Sequence, residues 1–152
     1  MYKAYYNSPI GVIELVSDEN SIQELSFVEK IGEAHNDAPA ILRNALTQID
    51  EYFKGTRKIF DLNLGSKGTA FQESVWQQLV KVPFGSTATY GEIARAVGNE
   101  KASRAVGGAN NKNKIAIIIP CHRIIGSQGK LVGYEGGLWR KEWLLQHEKN
   151  NN

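Results

Sequence analysis

The sequence predicts a mixed α/β (α+β) protein with two small domains, the first built on strands and the second mainly helical with a helix-turn-helix. Three observations lead to this prediction. The first 30 residues contain short strand-like runs, the segment after residue 69 has helical periodicity, and a glycine-rich stretch at residues 65–68 separates the two. The length of 152 residues is sufficient for a hydrophobic core without disulfides.

The N-terminal segment, residues 1–65, is expected to form a small domain of strands and one helix. β-Branched and aromatic residues bounded by turn residues predict strands over 2–6, 10–16 and 22–28. Apolar positions at a helical period predict a helix from Ala38 to Tyr52 that ends at Gly55. One further strand is expected over 59–64. We find no arrangement in this segment with an evident chemical role, so it is expected to be structural.

The C-terminal segment, residues 66–148, begins with two helices whose first turns can be located from the sequence. Thr69 with Gln72, and Thr89 with Glu92, have the spacing of a capping box, in which each side chain bonds the backbone N–H of the other residue. We therefore expect helices to begin at these two points. The first is expected to end at Pro83.

A third helix completes a predicted helix-turn-helix. The second helix should stop at Gly98, and Asn99 is expected to cap a helix that runs to about Ala109. Its predicted apolar face is Ala102, Ala105, Val106 and Ala109. A separate stripe contains Lys101, Arg104, Gly108 and Lys112. Bases opposite an apolar face favour nucleic-acid binding, although helix-turn-helix units also occur as plain packing motifs.

The rest of the segment is predicted as a strand, loops and a last helix. The fully apolar run 115–119 has the length of a buried strand. Glycine-rich loops follow, and a helix is expected from Leu138 to His147. The end of the chain, 149–152, is expected to fray.

Charge is distributed unevenly along the chain. The formal net charge is +2, but residues 1–65 have 6 Lys/Arg and 10 Asp/Glu, whereas the remainder has 12 and 6. Residues 101–134 contain six bases and no acid. This distribution suggests a polyanionic partner for the C-terminal half, the alternative being a solvated basic face.

Several classes of protein are not expected. No apolar run approaches the roughly 18 residues of a membrane span, and the N-terminus lacks a signal-peptide pattern, so we expect a cytoplasmic protein without membrane contact. The single cysteine, Cys121, excludes an intrachain disulfide. With the three histidines scattered at 35, 122 and 147, we expect no metal site.

Cys121 is the candidate nucleophile. It follows the apolar run, lies in the acid-free stretch, and precedes His122 and Arg123, two possible cations. An ordinary thiol is only about 3% ionised at pH 7, so nearby positive charge or a base would favour its reactivity. Neighbours in an extended strand point to opposite faces, however, so contact between Cys121 and His122 requires a turn or a bridging water. The alternative is a buried structural cysteine.

Four motifs resemble the O6-alkylguanine-DNA alkyltransferase family. The first is the run around the cysteine, Ile119-Pro120-Cys121-His122-Arg123-Ile124-Ile125. The second opens the C-terminal segment and consists of Thr69, Phe71, Gln72, Val75, Trp76 and Leu79, and the third consists of Pro83, Gly85, Thr87 and Tyr90 followed by Arg104-Ala105-Val106-Gly107, Ala109 and Asn113. The fourth closes the segment with Tyr134, Gly136, Gly137, Leu138, Lys141, Leu144, Leu145 and Glu148. The resemblance is specific over 69–148 and weak over 1–65, where the family has a ribonuclease-H-like fold.

The resemblance implies base flipping and irreversible transfer of an alkyl group to Cys121, once per molecule and without a cofactor. It implies the substrate O6-alkylguanine, with O4-alkylthymine, in double-stranded DNA bound through the minor groove by a monomer. The implied catalytic residues are Cys121, His122, Glu148, Tyr90 and Asn113. The implied DNA-binding residues are Arg104, Lys101, Thr89, Ala105, Gly107 and Arg123. The implied pocket residues are Pro120, Ile124, Tyr134, Glu135, Gly136 and Gly137.

The sequence departs from the family pattern at two positions. Lys114 stands where many members have proline, and Glu135 lies where small or neutral residues are common. Two other functions are kept as alternatives. One is a non-enzymatic lesion-binding protein that flags damage for another pathway, and the other is a winged-helix regulator with a structural cysteine.

Overall fold

The strand-rich and helical halves are both present in the computed structural model, which describes residues 1–152. The chain divides into one unit over Met1–Ser66 and a second over Lys67–Asn152. The mixed α/β class is thereby confirmed. No helix is both long and apolar enough to cross a membrane.

The first unit contains an antiparallel sheet of three strands, β1 (Tyr2–Ser8), β2 (Gly11–Ser17) and β3 (Ile22–Val28), in sequence order. The β1–β2 hairpin closes within two residues, and Gly11 after it has φ 118°, a value that favours glycine. The three predicted strands are thus confirmed, each within two residues of its expected ends.

The helix α1 (Ala40–Phe53) packs its apolar face on this sheet. Tyr6 of β1 stacks on Phe53 at 5.8 Å between ring centroids, and the Tyr6 hydroxyl donates to Asp50 at 2.8 Å. Gly55, at φ 81°, follows the helix as predicted, with its N–H bonded to the carbonyl of Tyr52.

The strand expected over 59–64 is absent, apart from a single parallel bridge between Leu64 and Ile22. The buried side chain of Gln48 takes the place of a neighbouring strand. Its amide nitrogen donates to the carbonyl of Asp61 at 3.0 Å, and its oxygen accepts from the Asp61 N–H at 2.9 Å. The prediction was wrong because the backbone of Asp61 bonds a side chain and only Asn63 and Gly65 bond a strand residue, Ile22 of β3.

In the second unit, both predicted capping boxes are confirmed. Helix α2 (Ala70–Leu79) begins after Thr69, whose hydroxyl accepts from the Gln72 N–H at 3.1 Å. Helix α3 (Tyr90–Ala96) begins after Thr89, whose hydroxyl accepts from the Glu92 N–H, also at 3.1 Å. In each case the glutamine or glutamate side chain returns a bond to the capping residue's own N–H.

The helix-turn-helix is formed by α3, a turn at Gly98 with φ 88°, and α4 (Ser103–Asn111). The start of α4 was placed too early. The side chain of Asn99 accepts from the Lys101 N–H within the turn, and α4 begins four residues later. The predicted apolar face is also corrected, because Ala105 is exposed and Asn110 is buried beside Val106.

The apolar run 115–119 forms compact turns and is not the expected strand. Ile117 has φ 70°, which interrupts any extended backbone, and the Ile119 N–H bonds the carbonyl of Ile115 at 3.0 Å. Two short parallel strands lie on either side of this region in sequence, β4 (Ala88–Thr89) and β5 (Ile124–Ile125). The run is buried as predicted, but its backbone partners are local.

The last helix, α5 (Leu138–Asn150), extends beyond the predicted end at His147 and includes two residues of the expected tail. Its buried residues are Lys141, Leu144 and Glu148, whereas Leu138 and Trp139 are exposed. Two of the three buried residues are charged, so hydrophobic periodicity alone could not identify this face.

We expect Gln48→Leu to lower the free energy of unfolding by about 1–3 kcal/mol, because it removes both hydrogen bonds to Asp61. Urea denaturation measures the change. Asn44→Leu, at an exposed position on the same helix, is the control and should stay within about 0.5 kcal/mol of the unmodified chain. Equal effects of the two substitutions would contradict the assigned role of Gln48.

Candidate active site

Cys121 begins a 3-10 helical turn, Cys121–Arg123, which we call the thiol turn. The turn follows Pro120, is buried, and ends where the Ile124 N–H bonds the carbonyl of Cys121. The backbone here is therefore not extended, and the opposite orientation of neighbouring side chains in a strand does not apply to Cys121 and His122.

The fully buried carboxylate of Glu148, in α5, is bonded to both residues that follow Cys121. Its Oε2 lies 2.6 Å from His122 Nε2, while Arg123 donates to it through Nε at 2.8 Å and Nη2 at 3.0 Å. The Gly85 N–H donates to Oε1 at 3.3 Å. Burial alone would raise the pKa of Glu148, but the hydrogen bonds from His122 and Arg123 and the charge of the bidentate arginine outweigh it and keep this pKa well below its usual range.

The Glu148 carboxylate determines which nitrogen of His122 bears the proton. Burial lowers the pKa of His122 and outweighs the hydrogen bond and charge of Glu148, which raise it, so the ring is neutral at pH 7. A neutral ring beside an ionised carboxylate carries its proton on Nε2 and donates it to Glu148. Nδ1 is then the acceptor nitrogen, and it is buried with no protein partner. His122 can therefore accept a proton at Nδ1.

Arg123 is not placed to bind DNA, which corrects the expectation from sequence. Its side chain is buried, donates twice to Glu148, and donates through Nη1 to the carbonyl of Val82 at 2.8 Å. Its guanidinium also lies over the ring of Phe84, at 5.8 Å from the centroid. The arginine is held by these contacts and has no free face for a phosphate. Its structural consequence is to hold Glu148 ionised beside His122.

The Cys121 thiol is protonated at neutral pH. Burial raises its pKa to about 11, and the nearby Glu135 charge acts in the same direction. The Asn113 amide and the Lys141 charge act in the opposite direction. The cation that faces the thiol is thus Lys141, and neither His122 nor Arg123 supplies that charge.

Asn113 holds the turns that lead to the thiol. Its amide nitrogen donates to the carbonyl of Ile119 at 2.9 Å, and its oxygen accepts from the Ile115 N–H at 3.0 Å. In a strand, the Ile119 carbonyl and the Ile115 N–H would bond a neighbouring strand, and here they bond the Asn113 side chain. Asn113 therefore shapes the segment that ends at Cys121.

Lys141 and Tyr90 both reach the loop 132–137. The fully buried Lys141 donates through Nζ to the carbonyls of Val132 at 2.7 Å and Gly133 at 3.3 Å. Burial lowers the pKa of Lys141 to about 8. The Tyr90 hydroxyl lies 3.5 Å from the Val132 carbonyl, and burial followed by the Cys121 charge raises its pKa. Tyr90 therefore stays protonated at neutral pH, as an acid must.

The predicted DNA-binding residues other than Arg123 lie on or beside the helix-turn-helix. Lys101, Arg104 and Ala105 are exposed at the start of α4, with Lys112 and Lys114 exposed near its end. Gly107 is half-buried, and a side chain there would meet the ring of Tyr90 at 3.6 Å. Thr89 caps α3. Exposed bases thus flank α4 at both ends, and we call these four bases together with the exposed residues of α4 the α4 surface.

The predicted pocket residues are of two kinds. Pro120 and Ile124 are buried on either side of the thiol turn. Tyr134, Glu135, Gly136 and Gly137 belong to the loop before α5, where Gly137 has φ 94° and Glu135 is exposed. The Tyr134 hydroxyl is buried without a protein partner, and burial together with the Cys121 charge raises its pKa. This hydroxyl is available to a molecule that enters beside the thiol.

Two buried polar side chains, Lys141 and Asn110, have no role assigned from the sequence, and Arg123 has a different role from the predicted one. Lys141 lies at i, i+3 and i+7 spacing with Leu144 and Glu148, so its burial could have been inferred once Glu148 was placed inside. Asn110 lies one turn after Val106 on the buried face of α4. The role of Arg123 in binding Glu148 has no local signal, since the two residues are 25 apart in sequence.

Comparison with known proteins gives matches over nearly the whole chain. Residues 1–65 match the family model described as 6-O-methylguanine DNA methyltransferase, ribonuclease-like domain, and residues 70–150 match the one described as 6-O-methylguanine DNA methyltransferase, DNA binding domain. A methylated-DNA–protein-cysteine methyltransferase of Methanosarcina acetivorans is 48% identical over 153 residues, which cover 97% of this chain and 98% of the relative. The Mycobacterium leprae protein of the same name is 44% identical and covers 95% and 90%.

Solved structures agree with the sequence matches. The crystal structure of Mycobacterium tuberculosis OGT in complex with DNA superposes with a TM-score of 0.91 at 42% identity, over 99% of this chain and 94% of that one. An O6-methylguanine DNA methyltransferase from Methanococcus jannaschii shares the fold, with a TM-score of 0.71 at 24% identity.

The buried histidine should make the folded state sensitive to mild acid. Its pKa is lowered from 6.5 on folding, so below pH 6.5 the unfolded chain binds a proton that the folded chain does not. The free energy of unfolding should therefore fall as the pH drops from 6.5 to 5, by at most about 1.4 kcal/mol per pH unit. His122→Gln should flatten this slope in urea titrations, whereas the control His147→Gln should keep it. An unchanged slope in His122→Gln would contradict the assigned protonation state.

Arg123→Met should destabilise the fold by about 3–5 kcal/mol, because it leaves the Glu148 carboxylate buried without its ion pair. Arg104→Met, at an exposed position on α4, should change stability by less than about 0.5 kcal/mol. Urea denaturation gives the free energy of unfolding of both variants, and the difference between them shows whether Arg123 is structural while Arg104 is a surface residue. A small effect at Arg123 would restore it as a candidate DNA contact.

Proposed function

We propose, because the chain belongs to the 6-O-methylguanine DNA methyltransferase family, that it repairs DNA by direct reversal and transfers the alkyl group of O6-alkylguanine to its own Cys121. The observation that supports this most directly is the thiol turn. It places the only cysteine of the chain directly before a neutral histidine whose proton is directed to Glu148 and whose second nitrogen has no protein partner. This is a nucleophile with a base next to it in the chain.

Activation of the thiol begins with proton transfer toward His122 Nδ1, through a bridging water. As the ring takes up the proton it becomes an imidazolium, and its Nε2–H already donates to the Glu148 carboxylate at 2.6 Å. Glu148 then stabilises the new positive charge, while Arg123 prevents Glu148 from taking the proton itself. The positive charge of Lys141 favours the thiolate that remains.

Transfer is a displacement at the alkyl carbon. The sulfur forms an S–C bond, the C–O6 bond breaks, and its electron pair passes to the departing guanine. The guanine needs one proton, and Tyr90, kept protonated by its raised pKa, is the proposed donor. The proton held by His122 replaces the one lost by Tyr90 through solvent. The product is a thioether that no group in the site can cleave, so each molecule acts once and needs no cofactor.

DNA is proposed to bind on the α4 surface. Lys101 and Arg104 are exposed there without an ion pair to any acid, which suits phosphate contacts. Arg104 is the proposed residue that enters the stack and fills the space left by the flipped base. Ala105 and Gly107 have little side chain, so the backbone of α4 can approach a groove closely, and we propose the minor groove. Thr89, which caps α3 in the same helix-turn-helix, is proposed as a further DNA contact.

The flipped base is proposed to enter between the thiol turn and the loop 132–137. Pro120 and Ile124 are apolar residues beside the thiol, and Tyr134 has a free hydroxyl for a polar edge of the base. Gly136 and Gly137 lie in the same loop, next to the exposed Glu135, a negative group that DNA must tolerate. O4-alkylthymine offers the same kind of alkyl–oxygen bond and is a proposed second substrate. We further propose that the protein works as a monomer in the cytoplasm.

Incubation with a duplex that contains one O6-methylguanine should add one methyl group to the intact protein, on the peptide that contains Cys121. The reaction should stop at one equivalent because the thiol is consumed. Intact and peptide mass spectrometry measure both results, and Cys121→Ala, which should retain DNA affinity, is the control. Binding without any change in mass would contradict the alkyl transfer and favour the non-enzymatic lesion-binding protein.

Arg104→Ala should slow transfer from duplex substrate by about tenfold or more, because the vacated space in the stack is no longer filled. Its affinity for single-stranded substrate should fall much less. Single-turnover kinetics and fluorescence anisotropy give the two quantities, with Arg43→Ala, an exposed arginine of the first unit, as the control. Unchanged repair of the duplex would show that Arg104 does not have this role.

A further inference from the structure

Asn110 is a buried amide that reaches the main chain of the nucleophilic residue. It is the penultimate residue of α4 and is only 3% exposed. Its Nδ2 donates to the carbonyl oxygen of Cys121 at 3.3 Å. It lies on the buried face of α4, one turn after Val106 and next to Ala109.

The carbonyl that Asn110 bonds belongs to the peptide group between Cys121 and His122. The same oxygen accepts the Ile124 N–H that closes the thiol turn. The orientation of this peptide group determines how the thiol and the imidazole are presented to each other. A donor to its oxygen therefore acts on the relative placement of nucleophile and base.

Asn110 is a poor choice if its role is only to fill space. Its Oδ1 is buried with no protein partner, and a half-paired amide in the interior is less favourable for folding than an apolar side chain of the same size. Asn113 differs in this respect, since both its amide groups are bonded to the backbone of 115–119. A structural role in bonding the backbone therefore explains the buried amide of Asn113 fully, but explains only one of the two polar groups of Asn110.

Helix α4 connects Asn110 to the residues that would carry DNA. Arg104 lies six residues earlier on the same helix, a distance of about 9 Å along the axis. The Trp76 Nε1–H donates to the Ala109 carbonyl at 2.9 Å and fixes the last turn of α4 against α2. The last turn of α4 thus has a fixed reference in α2, and a change in the placement of α4 that includes this turn would act through Asn110 on the peptide group of Cys121.

We propose that Asn110 is a positioning residue that couples the placement of α4 on DNA to the orientation of the Cys121–His122 peptide group. This inference rests on the proposed function, because it assigns Asn110 to the same transfer reaction. Asn110 touches neither the substrate nor the reacting atoms. It makes alkyl transfer depend on correct docking of the helix-turn-helix.

The test compares Asn110→Leu with Asn111→Leu, its exposed neighbour on α4. Asn110→Leu should keep affinity for an O6-methylguanine duplex within about twofold and lower the single-turnover transfer rate by about tenfold or more, because the nucleophile is misplaced. Its urea midpoint should equal or exceed that of the unmodified chain. Asn111→Leu should leave the transfer rate unchanged. Asn110→Ala removes the same donor without added bulk and serves if the leucine variant does not fold.

A second readout separates coupling from a merely local structural role. Hydrogen exchange of the peptide that contains Cys121–Ile124 is measured with and without an unmodified duplex. In the unmodified chain the duplex should increase protection of the Ile124 N–H, which bonds the Cys121 carbonyl, and in Asn110→Leu this increase should be lost. A transfer rate equal to that of the unmodified chain, or a lower rate with the full protection response retained, would overturn the inference. Absence of methyl transfer by the unmodified chain would instead overturn the proposed function, and the exchange response would still report on Asn110.

Discussion

A single buried carboxylate organises the site. Glu148, near the end of α5, accepts hydrogen bonds from the thiol turn through His122 and Arg123, and from the loop before β4 through the Gly85 N–H. Arg123 extends the same cluster to the Val82 carbonyl. A buried charge is tolerated only when its partners are all in place, so each of these segments is held in position by the cost of leaving Glu148 unsatisfied. The geometry around Cys121 follows from that requirement.

The basic stretch 101–134 combines two different uses of positive charge. Its exposed bases on the α4 surface remain available to a polyanion, whereas Arg123 is fully occupied by Glu148. Lys141, outside this stretch, is the cation whose charge acts on the thiol. A count of charges along the sequence identifies a basic half but cannot separate these roles. Burial separates them, because only an exposed base can exchange its counterions for phosphate.

The starts of α2 and α3 follow from local chemistry and are predicted correctly, whereas the cap predicted at Asn99 is wrong and α4 begins at Ser103. The capping boxes at Thr69 and Thr89 fixed the starts of α2 and α3, since the interacting groups are three residues apart. The runs 59–64 and 115–119 were predicted as strands and are not, because the side chains of Gln48 and Asn113 satisfy their backbone in place of neighbouring strands. The motif resemblance placed the candidate residues of the site, but the bond between Arg123 and Glu148 joins residues 25 apart and only the structure shows it.

The raised pKa of Cys121 has a consequence for a protein that reacts once. A permanently ionised thiol would be consumed by any electrophile that reached it, and the molecule would then be useless for repair. Burial holds the thiol protonated, while His122 Nδ1 offers a path for the proton and Lys141 lowers the cost of the thiolate. In the proposed reaction, ionisation is therefore favoured only when an alkyl carbon is aligned with the sulfur, so that the thiolate pair forms the S–C bond while the C–O6 pair passes to the departing guanine. Under the proposed reaction, the same burial that slows unwanted chemistry restricts the thiol to a base that has been flipped into the site.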